Sequence, residues 1–288
     1  MTNYISKLSR AIKDDTALIR QAIPTLETGA NAVQQELKHQ RHRTITDWIS
    51  PVDFAAQQSD IISRRQEGTG LWFVISPEFL GWLAGSNQTL FCQGIPGAGK
   101  TIITAITVNH LWKYVENTNI GVAYIYCNYK SRADQTTTNL VATILKQLVQ
   151  GCPSIAEPVT TLYERHASRR TRPSLEEILS ALRAVVSNYS RVYVVVDALD
   201  ECLDHNQLLA TLRDLQSGDN LSLMATSRFI PEVVHKFAHS SMLEIRAIDS
   251  DVKLFVAGQM DRLPRFVQRD DMLQKAIQDG ITMAAGGM

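Results

Sequence analysis

The sequence predicts an α/β fold, a parallel sheet with helices on both faces, and three observations predict it. From Thr89 onward short apolar runs alternate with longer helical stretches, the order that a parallel sheet covered on both sides requires. One junction between run and helix carries glycines at 94, 97 and 99 followed by Lys100 and Thr101. A later β-branched run, Val192 to Val196, ends in a carboxylate, Asp197.

The elements follow in order. From Ile5 the apolar residues recur at Leu8, Ile12, Ile19, Ile23, Leu26, Ala30, Val33 and Leu37, mostly in steps of three and four. That is the stripe of a helix or helical hairpin with one packed face, kinked or divided at Pro24. It reads as packing on its own or a neighbouring domain. The alternative is a coiled coil that self-associates or binds protein partners, but uninterrupted heptads are missing. Next comes a lead-in punctuated by Pro51 and the turn Gly68-Thr69-Gly70, with a helix between them. The alternation then begins: "TLFCQG" and a helix over 100–116; "GVAYIYCN" and helices over 134–150 and 154–167; a helix over 174–188 and "RVYVVVD". A helix near 205–216 and "LSLMATS" continue it, then a helix over 231–238 and "MLEIRAI". After Asp249 the pattern is helical only.

Composition narrows the function classes. Acidic and basic residues balance at 29 each, so no global field draws the chain to nucleic acid or anionic lipid. No apolar run reaches the length of a membrane span, and the N-terminus lacks a signal-peptide core. The 4 cysteines, Cys92, Cys127, Cys152 and Cys202, are scattered, which suits buried thiols in a reducing compartment and not a zinc site. The expectation is a cytoplasmic protein with no nucleic-acid partner and no membrane span. Neither HExxH nor GxSxG occurs, and the absent N-K-x-D signature argues against a small GTPase. The 7 histidines are dispersed, and His110 reads as packing or solvated.

"GIPGAGKT", residues 94–101, satisfies G-x-x-x-x-G-K-[ST], a pattern that average composition yields by chance roughly once in a hundred chains of this length. It stands between a strand and a helix, where the physics needs it. Glycines let backbone N–H groups turn inward around phosphate oxygens, and the helix N-terminus adds its positive end. Gly94, Gly97, Ala98, Gly99, Lys100, Thr101 and Ile102 are the candidate nucleotide-binding residues. Lys100 would reach the β- and γ-phosphates, and the Thr101 hydroxyl would ligate Mg²⁺.

The second half of such a site is a buried strand ending in a carboxylate, and Asp197 supplies it as the second Mg²⁺ residue, expected to hold the ion through water. Many related sites place a catalytic glutamate directly after this aspartate, but here Ala198 stands there, and Asp200 and Glu201 follow on the next turn. Either could orient or deprotonate the attacking water; for Asp200 the alternative is a helix cap. Arg228, at the end of "MATSR", reads as a γ-phosphate sensor or as a surface arginine.

"GIPGAGKT", "VYVVVDALDEC" and "MATSR", in that order, resemble the NACHT NTPase module, and more narrowly the nephrocystin-like NACHT region of fungal NOD-like receptors. The lead-in from "DWISPVDF" to "EFLGWL" is similar to the segment before the P-loop in those proteins, so the resemblance runs from about residue 45 to 288. It implies a P-loop NTPase fold of the STAND class with a parallel five-stranded sheet, preceded by a helical segment and followed by helices. The strand carrying Arg228 should lie between those carrying Lys100 and Asp197. On this reading 1–44 is the tail of an effector-type region, 45–87 a lead-in, 88–248 the NTPase domain and 249–288 the start of a C-terminal helical subdomain. Family members continue into a winged helix and repeats. Against that pattern the chain reads as a truncated receptor, a gene-model fragment or a stand-alone module. The resemblance further implies ATP and ADP with Mg²⁺ (GTP not excluded), catalytic roles for Glu201, Asp200 and Arg228, and a Gly68–Gly70 turn near the base.

The function so implied is a signalling switch that binds nucleotide and hydrolyses it slowly, in non-self recognition or programmed cell death. Two alternatives stand beside it. One is an AAA+-like remodelling ATPase, for which the arginines of "HASRRTRP" offer a finger or only a solvated loop. The other is a non-hydrolysing adaptor that binds partners through its N-terminal helices.

Overall fold

The computed structural model describes residues 28–218 and 220–285. The chain forms two units, residues 1–47 and 48–288. In the first, residues 28–47 are helical and belong to α1, which ends at 49. The apolar stripe from Ile5 to Leu26 lies outside the described residues. Val33 and Leu37, expected on a packed face, are exposed.

The second unit begins with α2 (Ala55–Ser63), α3 (Leu71–Val74) and α4 (Pro77–Ala84), and the alternation follows. It runs β1 (Thr89–Gln93), α5 (Lys100–Tyr114), β2 (Ile120–Tyr126), α6 (Thr137–Gln150), α7 (Glu157–Ala167), α8 (Leu175–Val186) and β3 (Arg191–Asp197). Then come α9 (His205–Gly218), β4 (Leu221–Ser227), α10 (Pro231–Val234) and β5 (Ser241–Glu244). The C-terminal helices are α11 (Asp249–Gln259), α12 (Arg265–Gln268) and α13 (Asp271–Ala285). No helix among the described residues is long and apolar enough to cross a membrane.

The sheet has 5 strands in the order β2-β3-β4-β1-β5, and all its pairings are parallel. The strand that leads into Arg228 therefore lies between the one before Lys100 and the one ending at Asp197, as the resemblance implies. Val192 to Val196 are fully buried, and every residue of β4 is buried, which is why these strands read as continuous apolar runs. β5 is shorter than "MLEIRAI". The Ile245 N–H still donates to the Gln93 carbonyl at 2.7 Å, and the chain then leaves the sheet to enter α11.

Capping residues fix the helix starts. Ser174 and Glu177 form a reciprocal capping box on α8, and the Ser76 hydroxyl accepts from Phe79 N–H ahead of Pro77 on α4. β2 is an edge strand, yet its free side is covered. The Gln147 amide accepts the Tyr124 N–H and donates to the Tyr124 carbonyl, both at 2.9 Å, so one side chain imitates a neighbouring strand. Gln135 does the same for the Tyr126 carbonyl and the Asn128 N–H.

The lead-in is anchored to the loop-bearing helix by a buried amide. Gln58 donates from Nε2 to the Ala105 carbonyl in the middle of α5 at 3.0 Å, and its Oε1 accepts from the Tyr126 hydroxyl. Trp82 Nε1 donates to the Leu223 carbonyl at 3.0 Å, tying α4 to the centre of the sheet.

Candidate functional site

The loop 94–99 leaves β1 and enters α5. Gly97 and Gly99 have φ of 84° and 93°, where a Cβ is strained. At Gly94 the demand is space, since a Cβ would stand 2.5 Å from the Ile245 carbonyl oxygen. Lys100 folds back over the loop, its Nζ donating to the carbonyls of Gly94 and Ile95 at 2.8 Å each. Burial lowers the Lys100 pKa, opposed by the nearby carboxylates of Asp200 and Asp197.

Asp197 is buried at the end of β3 and accepts three hydroxyls. Thr101 Oγ1 donates to Oδ2 at 2.8 Å, while Thr104 Oγ1 and Thr226 Oγ1 donate to Oδ1 at 2.9 and 2.7 Å. Burial, the largest influence, pushes the carboxyl above its ordinary range, and the three hydroxyls and Lys100 oppose it. The structure thus brings Lys100, Thr101 and Asp197 together as the sequence pattern requires. The pattern does not single out Thr104 and Thr226; their signal is a hydroxyl three residues after Thr101, on the same face of α5, and another at the end of the adjacent strand.

Asp200 and Glu201 lie on the 3-10 turn Leu199–Glu201 after Ala198. Asp200 takes Arg228 with both oxygens: Oδ1 accepts the backbone N–H at 3.1 Å and Oδ2 accepts Nε at 2.5 Å. Burial raises the Asp200 pKa, but the bonds from Arg228 outweigh it and hold the carboxyl below its usual value. The helix-capping bond on α9 comes from Asp204, whose Oδ1 accepts the Gln207 N–H at 2.9 Å. Glu201 Oε2 accepts the Tyr129 N–H at 3.2 Å, and Arg132 Nε donates to the Glu201 carbonyl at 3.1 Å. The segment after β2 therefore holds the acidic turn.

Ala198 has φ 50° and ψ 50°, a left-handed conformation for a residue with a Cβ. Such a conformation costs an L-residue about 1 kcal/mol or more. Ala198→Gly is therefore expected to raise stability by about 0.5 kcal/mol after the greater unfolded-state freedom of glycine is deducted. A urea midpoint that shifts upward with an unchanged slope would show it, and a lower midpoint would refute it.

Beside the loop lies a cavity of about 420 Å³. Ala98 and Ile102 line one side, Ile248, Phe255 and Ile281 the other, and Gly70 closes an end. Its walls are held together at several points. Asp251 Oδ2 on α11 accepts the Gly70 N–H at 2.7 Å. Gly258, further along α11, is approached so closely by Gln66 that a Cβ would stand 2.0 Å from its Oε1. A Cβ on Gly70 would meet Ile106 Cδ1 at 2.3 Å, so the turn itself excludes side chains.

The donor set suits a nucleotide with Mg²⁺. Among the described residues no group of three or more His, Cys, Asp or Glu could hold a metal by itself. Mg²⁺ needs no such cage, because one or two hard protein oxygens plus phosphates suffice, and Thr101 with Asp197 provides those oxygens. His110, Arg172 and His166 each have partners away from the loop. His110 packs edge-on against Phe79 with ring centroids 5.5 Å apart. Arg172 donates to the Trp48 carbonyl, and His166 joins Thr171 and Glu177.

Among solved structures the chain is similar to the Aeropyrum pernix ORC1 protein in complex with DNA. Identity is 15% over 76% of this chain and 53% of that one, with a TM-score of 0.41. It is also similar to domain III of the Thermotoga maritima replication initiation protein DnaA (15% identity, 75% of this chain and 85% of that one, TM-score 0.39). A further match is AMPPCP-bound DnaA from Aquifex aeolicus, 12% identical over 75% of this chain and 61% of that one, with a TM-score of 0.34. The chain thus spans about half the length of the first of these. No curated protein matches it. Residues 68–228, more than half of the chain and the stretch that holds the loop, Asp197 and Arg228, match the model of the nephrocystin 3 N-terminal family, and the chain belongs to that family.

Proposed function

We propose that this chain is a nucleotide-dependent switch that binds ATP or ADP with Mg²⁺ and hydrolyses ATP slowly. The observation that carries the reading is one convergence: Thr101 Oγ1 lies 2.8 Å from the Asp197 carboxylate, with Lys100 beside it at the start of α5, folded back over the loop. The backbone N–H groups at the start of α5 and Lys100 would hold the phosphates, and Thr101 with Asp197 would hold Mg²⁺. The apolar cavity beside Ala98 and Ile102 would take the base. When bound, Mg²⁺ supplies charge neutralisation of the phosphates. Glu201 would orient or deprotonate water, Arg228 would meet the terminal phosphate, and Asp200 would hold Arg228 in place until then.

What makes this a switch is where the cavity lies. One wall is the loop and α5, the other is α11 and α13, so a ligand there bears on the placement of the C-terminal helices. The finer reading, signalling of the NOD-like receptor kind in non-self recognition or programmed cell death, follows the NACHT resemblance. Cytoplasmic location and partner binding through the N-terminal helices belong to the same reading.

The test is equilibrium binding of fluorescent analogues of ATP, ADP and GTP, with Mg²⁺ and with EDTA. Micromolar binding of the adenine nucleotides, tightened by Mg²⁺ for ATP, is the expected result. A folded chain that binds none of them would end the reading, and tighter binding of the guanine analogue would reassign the base.

A further inference from the structure

Asp197 has two carboxylate oxygens, and the protein treats them differently. Oδ1 receives the hydroxyls of Thr104 and Thr226, whereas Oδ2 receives that of Thr101 alone. The direction of these bonds is fixed by proton counting. Thr226 Oγ1 already accepts the Ala198 N–H at 2.9 Å, so its single proton is left for Asp197. Thr104 lies within α5, where a threonine hydroxyl ordinarily bonds the carbonyl four residues back; here it reaches 2.9 Å across to the strand instead. Thr107, the next residue at the same spacing, is buried with no hydrogen-bond partner. Spacing alone therefore does not explain the contact of Thr104.

We infer that Thr104 and Thr226 are positioning residues for Mg²⁺: together they tie Oδ1 to the interior and leave Oδ2, beside the Thr101 hydroxyl, as the oxygen offered to the ion. The inference rests on the nucleotide reading above. Neither threonine touches the ion, and each acts through Asp197. Their removal frees the carboxylate to rotate and share its oxygens between two orientations, of which one serves Mg²⁺. Outer-shell partners of this kind typically change metal affinity by about 10- to 100-fold.

Thr104→Val keeps the shape and removes the hydroxyl. The measurement is affinity for a fluorescent ATP analogue, in EDTA and across a Mg²⁺ titration, with folding checked by circular dichroism. In EDTA the variant should match the wild type, while the Mg²⁺ concentration for half-maximal enhancement should rise about tenfold. Thr104→Ser, which restores a hydroxyl, should return it to the wild-type value. Thr104→Ala carries the same expectation as Thr104→Val should valine prevent folding. A Mg²⁺ response equal to that of the wild type overturns the inference. So does an equal loss with and without Mg²⁺, or a failure of serine to rescue. A wild type that binds no nucleotide overturns the nucleotide reading and this inference with it; a wild type that binds, with an unaffected variant, overturns this one alone.

Discussion

Lys100→Ala is expected to weaken nucleotide binding by at least a hundredfold while leaving the fold in place. The ammonium would make charge-assisted contacts to the β- and γ-phosphates. Loss of such contacts is worth about 3 kcal/mol, or roughly a hundredfold in affinity. The folded chain loses little by comparison. Nζ is only part-buried, and its partners in the protein are the carbonyls of Gly94 and Ile95, so the stability change should be about 1 kcal/mol. The two effects separate cleanly in one experiment. Binding of a fluorescent ATP analogue with Mg²⁺ reports the first, and a urea transition followed by circular dichroism reports the second. Unchanged affinity in the variant would remove Lys100 from the phosphate site. A collapse of the fold would show that the lysine acts chiefly as a clamp on its own loop.

There is a physical reason why the amino-acid sequence makes these residues legible and leaves others hidden. A phosphate loop is a local object: glycines at fixed offsets, a lysine and a hydroxyl at a helix start, all within eight consecutive residues. Its backbone demands are therefore written in one stretch. Buried parallel strands are legible for a similar reason, since both faces must be apolar and the run becomes continuously apolar and rich in β-branched residues, as in Val192 to Val196. The order of the strands is not local. The place of β4 between β1 and β3 follows from the resemblance, not from the residues of β4 itself.

What stays hidden depends on where side chains meet across elements. Asp200 and Glu201 look alike in sequence, two acids on one turn, yet the fold gives them opposite surroundings. Asp200 is locked to Arg228, whereas Glu201 lies at the surface of the turn against the Tyr129 N–H. The clamp between Asp251 and Gly70 joins residues 181 positions apart, so no periodicity could announce it. The three hydroxyls on Asp197 come from the first and second turns of α5 and from β4. Cys127 and Cys202, merely scattered thiols in the sequence, are both buried beside the acidic turn, where the influence of Cys127 lowers the Cys202 pKa.

The different surroundings of the two acids carry the second large prediction. Glu201→Gln should bind ATP with Mg²⁺ as the wild type does and hydrolyse it at least a hundredfold more slowly. Glutamine keeps the size of the side chain and one oxygen to accept the Tyr129 N–H, so the turn and its contact with the segment after β2 survive. It loses the negative charge and the ability to take a proton, and removal of a general base lowers turnover by about 10²- to 10⁴-fold. Asp200→Asn provides the contrast. Its loss weakens the hold on Arg228, so it should alter affinity for the triphosphate over the diphosphate more than the rate at saturation. The readouts are single-turnover hydrolysis at saturating ATP and the ratio of ATP to ADP affinity. Hydrolysis by Glu201→Gln at the wild-type rate would strip Glu201 of its role. If Asp200→Asn then lost turnover instead, the base would be the acid that the fold has paired with arginine, and Arg228 would have to leave it before water could be activated.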